Sequence, residues 1–166
     1  MTKTWWTLKE PIPRSDELLD LVQTALTRDR RPLLVAIDGA DGIGKSSLAS
    51  WLAWQTGMPT VHLDLFLTCV QPIQWLTADL KRAVDRRLDL KRPVIVEGLL
   101  VLDALGQIGR EADFVAFLTG DHGSSLADQL AEYQKRRDLP GAADLILDGY
   151  TDPEISTPRS RRGKRE

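Results

Sequence analysis

Leu33-Leu34-Val35-Ala36-Ile37-Asp38-Gly39-Ala40-Asp41-Gly42-Ile43-Gly44-Lys45-Ser46 is the stretch on which the fold turns. Its first five residues form a continuous apolar run, too short for a helix and typical of a strand buried on both faces. The run ends at Asp38-Gly39. From about Gly44 to Gln55 the chain takes helical spacing, with Leu48, Trp51 and Leu52 on one face and Gly57 as its stop. A buried strand therefore passes through a glycine-rich turn directly into a helix.

Residues 39–46 satisfy G-x-x-x-x-G-K-[ST] in the strand-loop-helix context that gives the pattern its meaning. Glycines let the backbone curl so that successive N–H groups point into one concavity, and the helix N-terminus adds partial positive charge. Together they hold a phosphate. Gly39, Ala40, Asp41, Gly42, Ile43, Gly44, Lys45, Ser46 and Ser47 are thus the expected nucleotide-binding residues. Lys45 is expected to reach the β- and γ-phosphate oxygens as a point charge, and Ser46 to offer its hydroxyl to Mg²⁺. The motif implies a purine nucleoside triphosphate, ATP in the simplest case, with Mg²⁺. It does not name an acceptor.

Outward from this stretch, helical and strand-like patterns alternate. Leu18, Leu19, Val22, Ala25 and Leu26 recur at helical spacing after Ser15-Asp16-Glu17, a helix-opening signal. Residues 59–63 read as a second strand, 75–90 as a helix, 94–96 as a third strand and 114–118 as a fourth. A helix over 124–137, capped by Ser124 or Ser125, and a fifth strand over 143–147 complete the series. Parallel strands need crossovers, and the crossovers here are helical. The expected class is α/β: a three-layer fold with a five-stranded parallel sheet and helices on both faces.

A chain of 166 residues fits one domain, expected over residues 1–150, with a basic C-terminal tail over 151–166. The single Cys69 cannot form an internal disulfide, so the core must hold the fold, as expected in a reducing compartment. No apolar run approaches the roughly 18 residues of a membrane span, and residues 1–14 lack a signal-peptide core. Cytoplasm is the default location. With 22 Lys+Arg against 24 Asp+Glu, the net charge of -2 offers no global field for nucleic acid. Arg159, Arg161, Arg162, Lys164 and Arg165 form a local basic run, read first as a solvated tail and second as a phosphate or nucleic-acid contact.

Ligands of an open parallel sheet collect at the carboxyl ends of its strands. Asp64 ends Val61-His62-Leu63, and Glu97 ends Val94-Ile95-Val96. Asp64 is a candidate general base or hydroxyl anchor, with helix capping as the alternative. Glu97 is a candidate for holding Mg²⁺ or contacting the acceptor, with a structural carboxylate as the alternative. Asp38 ends the first strand but also makes a common Asp-Gly turn pair. His62 and His122 read as packed or surface residues. Trp51, Trp54 and Trp75 read as core or seam, and Cys69 carries no assigned role.

The order and spacing of these segments resemble the uridine kinase-like P-loop kinases. The residues that carry the resemblance are Leu34-Val35-Ala36-Ile37-Asp38-Gly39 with its loop, His62-Leu63-Asp64-Leu65-Phe66, Val94-Ile95-Val96-Glu97-Gly98-Leu99, and Ala143-Asp144-Leu145-Ile146-Leu147-Asp148-Gly149. The resemblance spans roughly residues 15 to 150. It implies sheet order 2-3-1-4-5 and γ-phosphoryl transfer from ATP to a hydroxyl of a nucleoside or another small metabolite. By it, Asp64 matches the family's base and Glu97 the acid after the third strand. Two features depart from it. Residues 88–93 leave no room for the family's acceptor-binding insertion there, and residues 119–125 carry no lid arginine, which leaves Arg136 and Arg137 as nearby candidates for charge stabilisation. The alternatives are a nucleoside monophosphate kinase, because Asp41 also resembles the thymidylate kinase loop, and an ATP-binding regulator or adaptor with little transfer.

Overall fold

The computed structural model describes residues 11–28, 32–120 and 125–149. The basic run at 159–165, Ser124 and His122 lie outside the described residues. In chain order the elements are α1 (Ser15–Arg28), β1 (Leu34–Gly39), α2 (Lys45–Thr56), β2 (Thr60–His62) and a 3₁₀ turn (Leu63–Phe66). A hairpin of β3 (Leu67–Val70) and β4 (Ile73–Trp75) follows, then α3 (Thr77–Asp89), β5 (Val94–Glu97) and α4 (Val101–Gln107). The described chain closes with β6 (Phe114–Thr119), α5 (Ala127–Arg137) and β7 (Leu145–Asp148).

Five strands form one sheet in the order β2-β5-β1-β6-β7, with each neighbouring pair parallel. Numbered among themselves along the chain, these strands stand 2-3-1-4-5, as the resemblance implies. The apolar run of β1 explains its central place: Val35 pairs with Ile95 on one side and Phe114 on the other, and all six residues are buried. Alternate residues of the strands feed two cores. Leu34, Ala36, Val94, Val96 and Phe117 pack with Leu80, Val84, Val101, Leu105 and Leu130 of α3, α4 and α5. Val35, Ile37, Ile95, Ala116 and Leu118 pack with Leu18, Val22, Leu48, Trp51 and Leu52 of α1 and α2. The period of two along each strand thus builds three layers.

Gly57 ends α2 as its spacing requires: its φ is 69° and its N–H returns to the Ala53 carbonyl at 2.8 Å. Several details differ from the sequence reading. Trp75 lies in β4 rather than on a helix, and Trp54 is 65% exposed rather than in a seam. α5 starts at Ala127, and the residue before it, Leu126, offers no side-chain cap, so Ser125 does not cap it. The hairpin and α4 were not expected from the sequence at all. The hairpin stands before α3, between the 3₁₀ turn and that helix. No described helix is long and apolar enough to cross a membrane.

Candidate functional site

β1 delivers the chain to Gly39, and α2 begins at Lys45, so the glycine-rich turn sits between the carboxyl end of the central strand and a helix N-terminus. Gly42 and Gly44 hold φ of 73° and 97°, a region that strains any residue with a Cβ. Ile43 is wholly buried between them and packs where the chain leaves β1, β6 and β7, near Gly39, Gly120 and Gly149. That apolar anchor fixes the turn from beneath. Ser46 and Ser47 stay exposed at the first turn of α2.

Lys45 is 6% exposed, and its ammonium donates to the Ala40 carbonyl. Burial lowers its pKa from the ordinary lysine value, and the charges of Glu97, Asp38, Asp41 and Asp64 oppose that shift. An anion brought to the turn relieves the same penalty, because it supplies the charge that burial takes from the lysine's solvation.

Glu97 is 3% exposed at the end of β5. His62 is its register partner on β2, which puts both side chains on one face, and His62 Nδ1 lies 2.5 Å from Glu97 Oε1. The Ser46 hydroxyl donates to the same oxygen at 3.0 Å. One carboxylate oxygen therefore joins α2, β2 and β5. Asp64 follows on the 3₁₀ turn and is exposed. One donor atom from each of His62, Asp64 and Glu97 lies within 4.8 Å of the others. A serine hydroxyl beside two carboxylates is a hard oxygen set suited to Mg²⁺, so these residues fit the ion that the sequence implied.

Asp38 is buried behind the turn. It accepts from the Gly39 N–H at 2.7 Å and from the Tyr133 hydroxyl, and the Tyr133 oxygen in turn accepts from the Leu102 N–H at 3.1 Å. Burial pushes the Asp38 carboxyl up to about 6, against the lowering effect of the Tyr133 hydroxyl, the Gly39 N–H and the Lys45 charge. Burial also raises the Tyr133 phenol, with the neighbouring Asp38 adding to it. Asp38 thus braces the turn from the sheet side.

Asp41, Lys45, Ser46, Asp64 and Glu97 line one cavity of about 280 Å³ together with Leu63, Leu67, Val70, Trp75, Gly98, Leu99 and Leu126. The structure does not bring Arg136 and Arg137 to that lining. Both bond the Asp103 carboxylate, Arg137 Nε at 2.8 Å, and Arg137 also donates to the Leu102 carbonyl at 3.1 Å. The pair fastens α5 to α4. Sequence reasoning missed His62 and Tyr133 as members of this neighbourhood. For Tyr133 a signal existed: Leu126, Leu130 and Tyr133 share a helical face, and a tyrosine on a buried face needs a partner for its hydroxyl.

No protein-family model matches the chain, and a search of curated proteins finds no match. Among solved structures, a possible uridine kinase from Bacillus stearothermophilus is 16% identical, with TM-score 0.59 over 80% of this chain and 98% of that one. A sugar kinase from Janibacter sp. HTCC2649 is 17% identical over 76% of this chain and 87% of that one, with TM-score 0.45. A gluconokinase from Sinorhizobium meliloti 1021 is 24% identical over 66% and 67%, with TM-score 0.38. The first likeness, together with the strand order and the loop, establishes that the chain has the fold of the P-loop kinases.

Proposed function

We propose that this chain is an ATP-dependent phosphotransferase acting on a hydroxyl of a small metabolite. The observation that carries the proposal is that a phosphate turn and an open carboxylate face one cavity. Lys45, Ser46, Asp64 and Glu97 all line it. ATP would be held by the N–H groups of residues 39–46 and by Lys45. Mg²⁺ would be held by Ser46 and Glu97, with Asp64 and His62 beside them, and would supply charge neutralisation at the β- and γ-phosphates.

Asp64 takes the proton of the acceptor hydroxyl as that oxygen bonds to the γ-phosphorus. The bond from the γ-phosphorus to the bridging oxygen breaks, leaving a phosphate ester and ADP. Lys45 holds the charge that moves toward the leaving oxygen. Glu97, pinned by His62 and Ser46, keeps the metal-binding hydroxyl in place.

The first experiment is ATP consumption with Mg²⁺ across nucleosides, nucleotides, sugars and vitamin-like alcohols, with Lys45→Ala as control. Stimulation by one acceptor, lost in the control, supports the proposal. A monophosphate kinase is disfavoured because, among the described residues, Lys45 is the one cation lining the cavity, and an acceptor phosphate needs another. A second reading is nucleotide binding with little transfer. One observation favours it: Arg136 and Arg137 are committed to Asp103, and a transition-state arginine can be worth about 10³–10⁵ in rate. Tight ATP binding with no stimulation by any acceptor would select this second reading.

A further inference from the structure

The acceptor side of the cavity differs in chemistry from its phosphate side. Among the described residues, Leu63, Leu67, Val70, Trp75, Leu99 and Leu126 line it, and the polar side chains on the same lining are those already placed around the phosphates and the metal-binding group. The hairpin supplies three of these six residues. Leu67 and Val70 are three apart, a spacing that an unbroken strand directs to opposite faces. The register of β3 on β4 shifts between Leu67 and Cys69, and that irregularity lets both reach the cavity. Thr68, Gln71 and Gln74 of the same hairpin are exposed and do not line it. The hairpin turns its hydrogen-bonding residues away from the acceptor.

A sugar or a nucleoside carries several hydroxyl or amide groups, each needing a partner once water is removed. Leucine and valine offer none and the tryptophan a single indole N–H, so most of these groups go unpaired, and each unpaired one costs binding. An acceptor with one hydroxyl on a compact apolar body meets the wall without that cost, with its hydroxyl directed to Asp64. The cavity volume of about 280 Å³ lies just below the usual range of ligand pockets and is shared with the phosphate side, which limits the body to a short branched chain or a single ring. From this wall we infer that the acceptor is a small apolar alcohol, aliphatic or aromatic, rather than a polyhydroxylated sugar or a nucleoside. The inference rests on the phosphotransfer reading above and narrows it.

The test separates binding from transfer. Calorimetric titration of the full chain, with Mg²⁺ and a non-hydrolysable ATP analogue present, would compare benzyl alcohol and 3-methylbutan-1-ol with ribose, gluconate and uridine. The expected result is an affinity for at least one apolar alcohol about tenfold or more above that for any polyol. Val70→Asn, at a site already 51% exposed and so safe for folding, should weaken that alcohol about fivefold and leave the ATP analogue unchanged. A polyol that binds more tightly, a variant without effect, or no alcohol bound at all would each overturn the inference. ATP consumption with the same compounds reports on the other reading. An apolar alcohol that binds and is not phosphorylated sinks the transferase and keeps the pocket; a polyol that is phosphorylated does the reverse.

Discussion

His62 Nδ1 and the Ser46 hydroxyl meet on the same oxygen of Glu97, at 2.5 and 3.0 Å. The imidazole therefore reaches the Ser46 hydroxyl through a shared carboxylate. His62→Ala and Glu97→Gln should each reduce affinity for the Mg²⁺-nucleotide about tenfold, and the double variant should lose little more than either alone. Titration with Mg²⁺ and ATP checks this. Losses that multiply would show that the two side chains act independently.

Lys45 carries a charge that is costly to bury. Lys45→Met should keep the aliphatic packing, lower ATP affinity about 100-fold or more, and leave stability unchanged or raised by about 1 kcal/mol. Denaturant unfolding alongside nucleotide titration separates the two effects. A clear loss of stability would place the ammonium among the fold's supports.

Asp64 is exposed and holds no position in the core. Asp64→Asn should lower turnover by about 100-fold or more while nucleotide affinity stays within about twofold. Unchanged turnover with a good acceptor would remove Asp64 from proton transfer.

The pH dependence of stability tests the bond between Tyr133 and Asp38. Burial raises the Asp38 carboxyl from 3.8 in the unfolded chain to about 6 in the native one, so the native state keeps its proton longer. Stability from this group accordingly falls as pH rises from about 4 to 6, and the penalty is full above that. The Tyr133 hydroxyl favours the ionised form and offsets part of the penalty. Tyr133→Phe should thus cost about 1 kcal/mol at pH 4 and about 2–3 kcal/mol at pH 8. Denaturant midpoints at the two pH values give the comparison, and equal losses would uncouple the pair.

Gly149 offers a steric test of the phosphate turn. A Cβ there would stand 2.7 Å from the Cβ of Ile43 and 2.8 Å from the Thr119 carbonyl oxygen. Gly149→Ala should cost about 2 kcal/mol and weaken ATP binding with it, because Ile43 must shift. Thermal melting and ATP titration on the same variant would show whether the losses travel together; destabilisation with full ATP affinity would free the turn from that anchor.

Long buried segments were legible because burial on both faces leaves no choice of residue. β1, β5 and β6 are apolar runs up to their carboxyl ends, and the turn after β1 has a spacing that phosphate chemistry demands. Glu97 was legible as a strand-end carboxylate, whereas the second strand stops at His62 and leaves Asp64 on the 3₁₀ turn that follows. The hairpin was not: its strands have four and three residues, and the register shift spoils the alternation by which a strand is read. α4 has seven residues and begins after Leu100 at φ 53°, too brief for its period to stand out. His62 sits in a three-residue strand that is half-buried throughout, so alternation could not say which way it faces. Tyr133 meets Asp38 from 95 residues away, a distance over which no local pattern speaks.

The position of the hairpin bears on how this protein could change its diet. Asp64, Leu67, Val70 and Trp75 lie on one short run of chain between β2 and α3, whereas the phosphate turn and Glu97 come from elsewhere. On the phosphotransfer reading, four residues that would meet the acceptor, Asp64 among them, thus sit on one exchangeable cassette, while Leu99 after β5 and Leu126 before α5 complete the wall. Grafting a different cassette between the same two elements is then expected to alter acceptor preference, with nucleotide affinity changed far less.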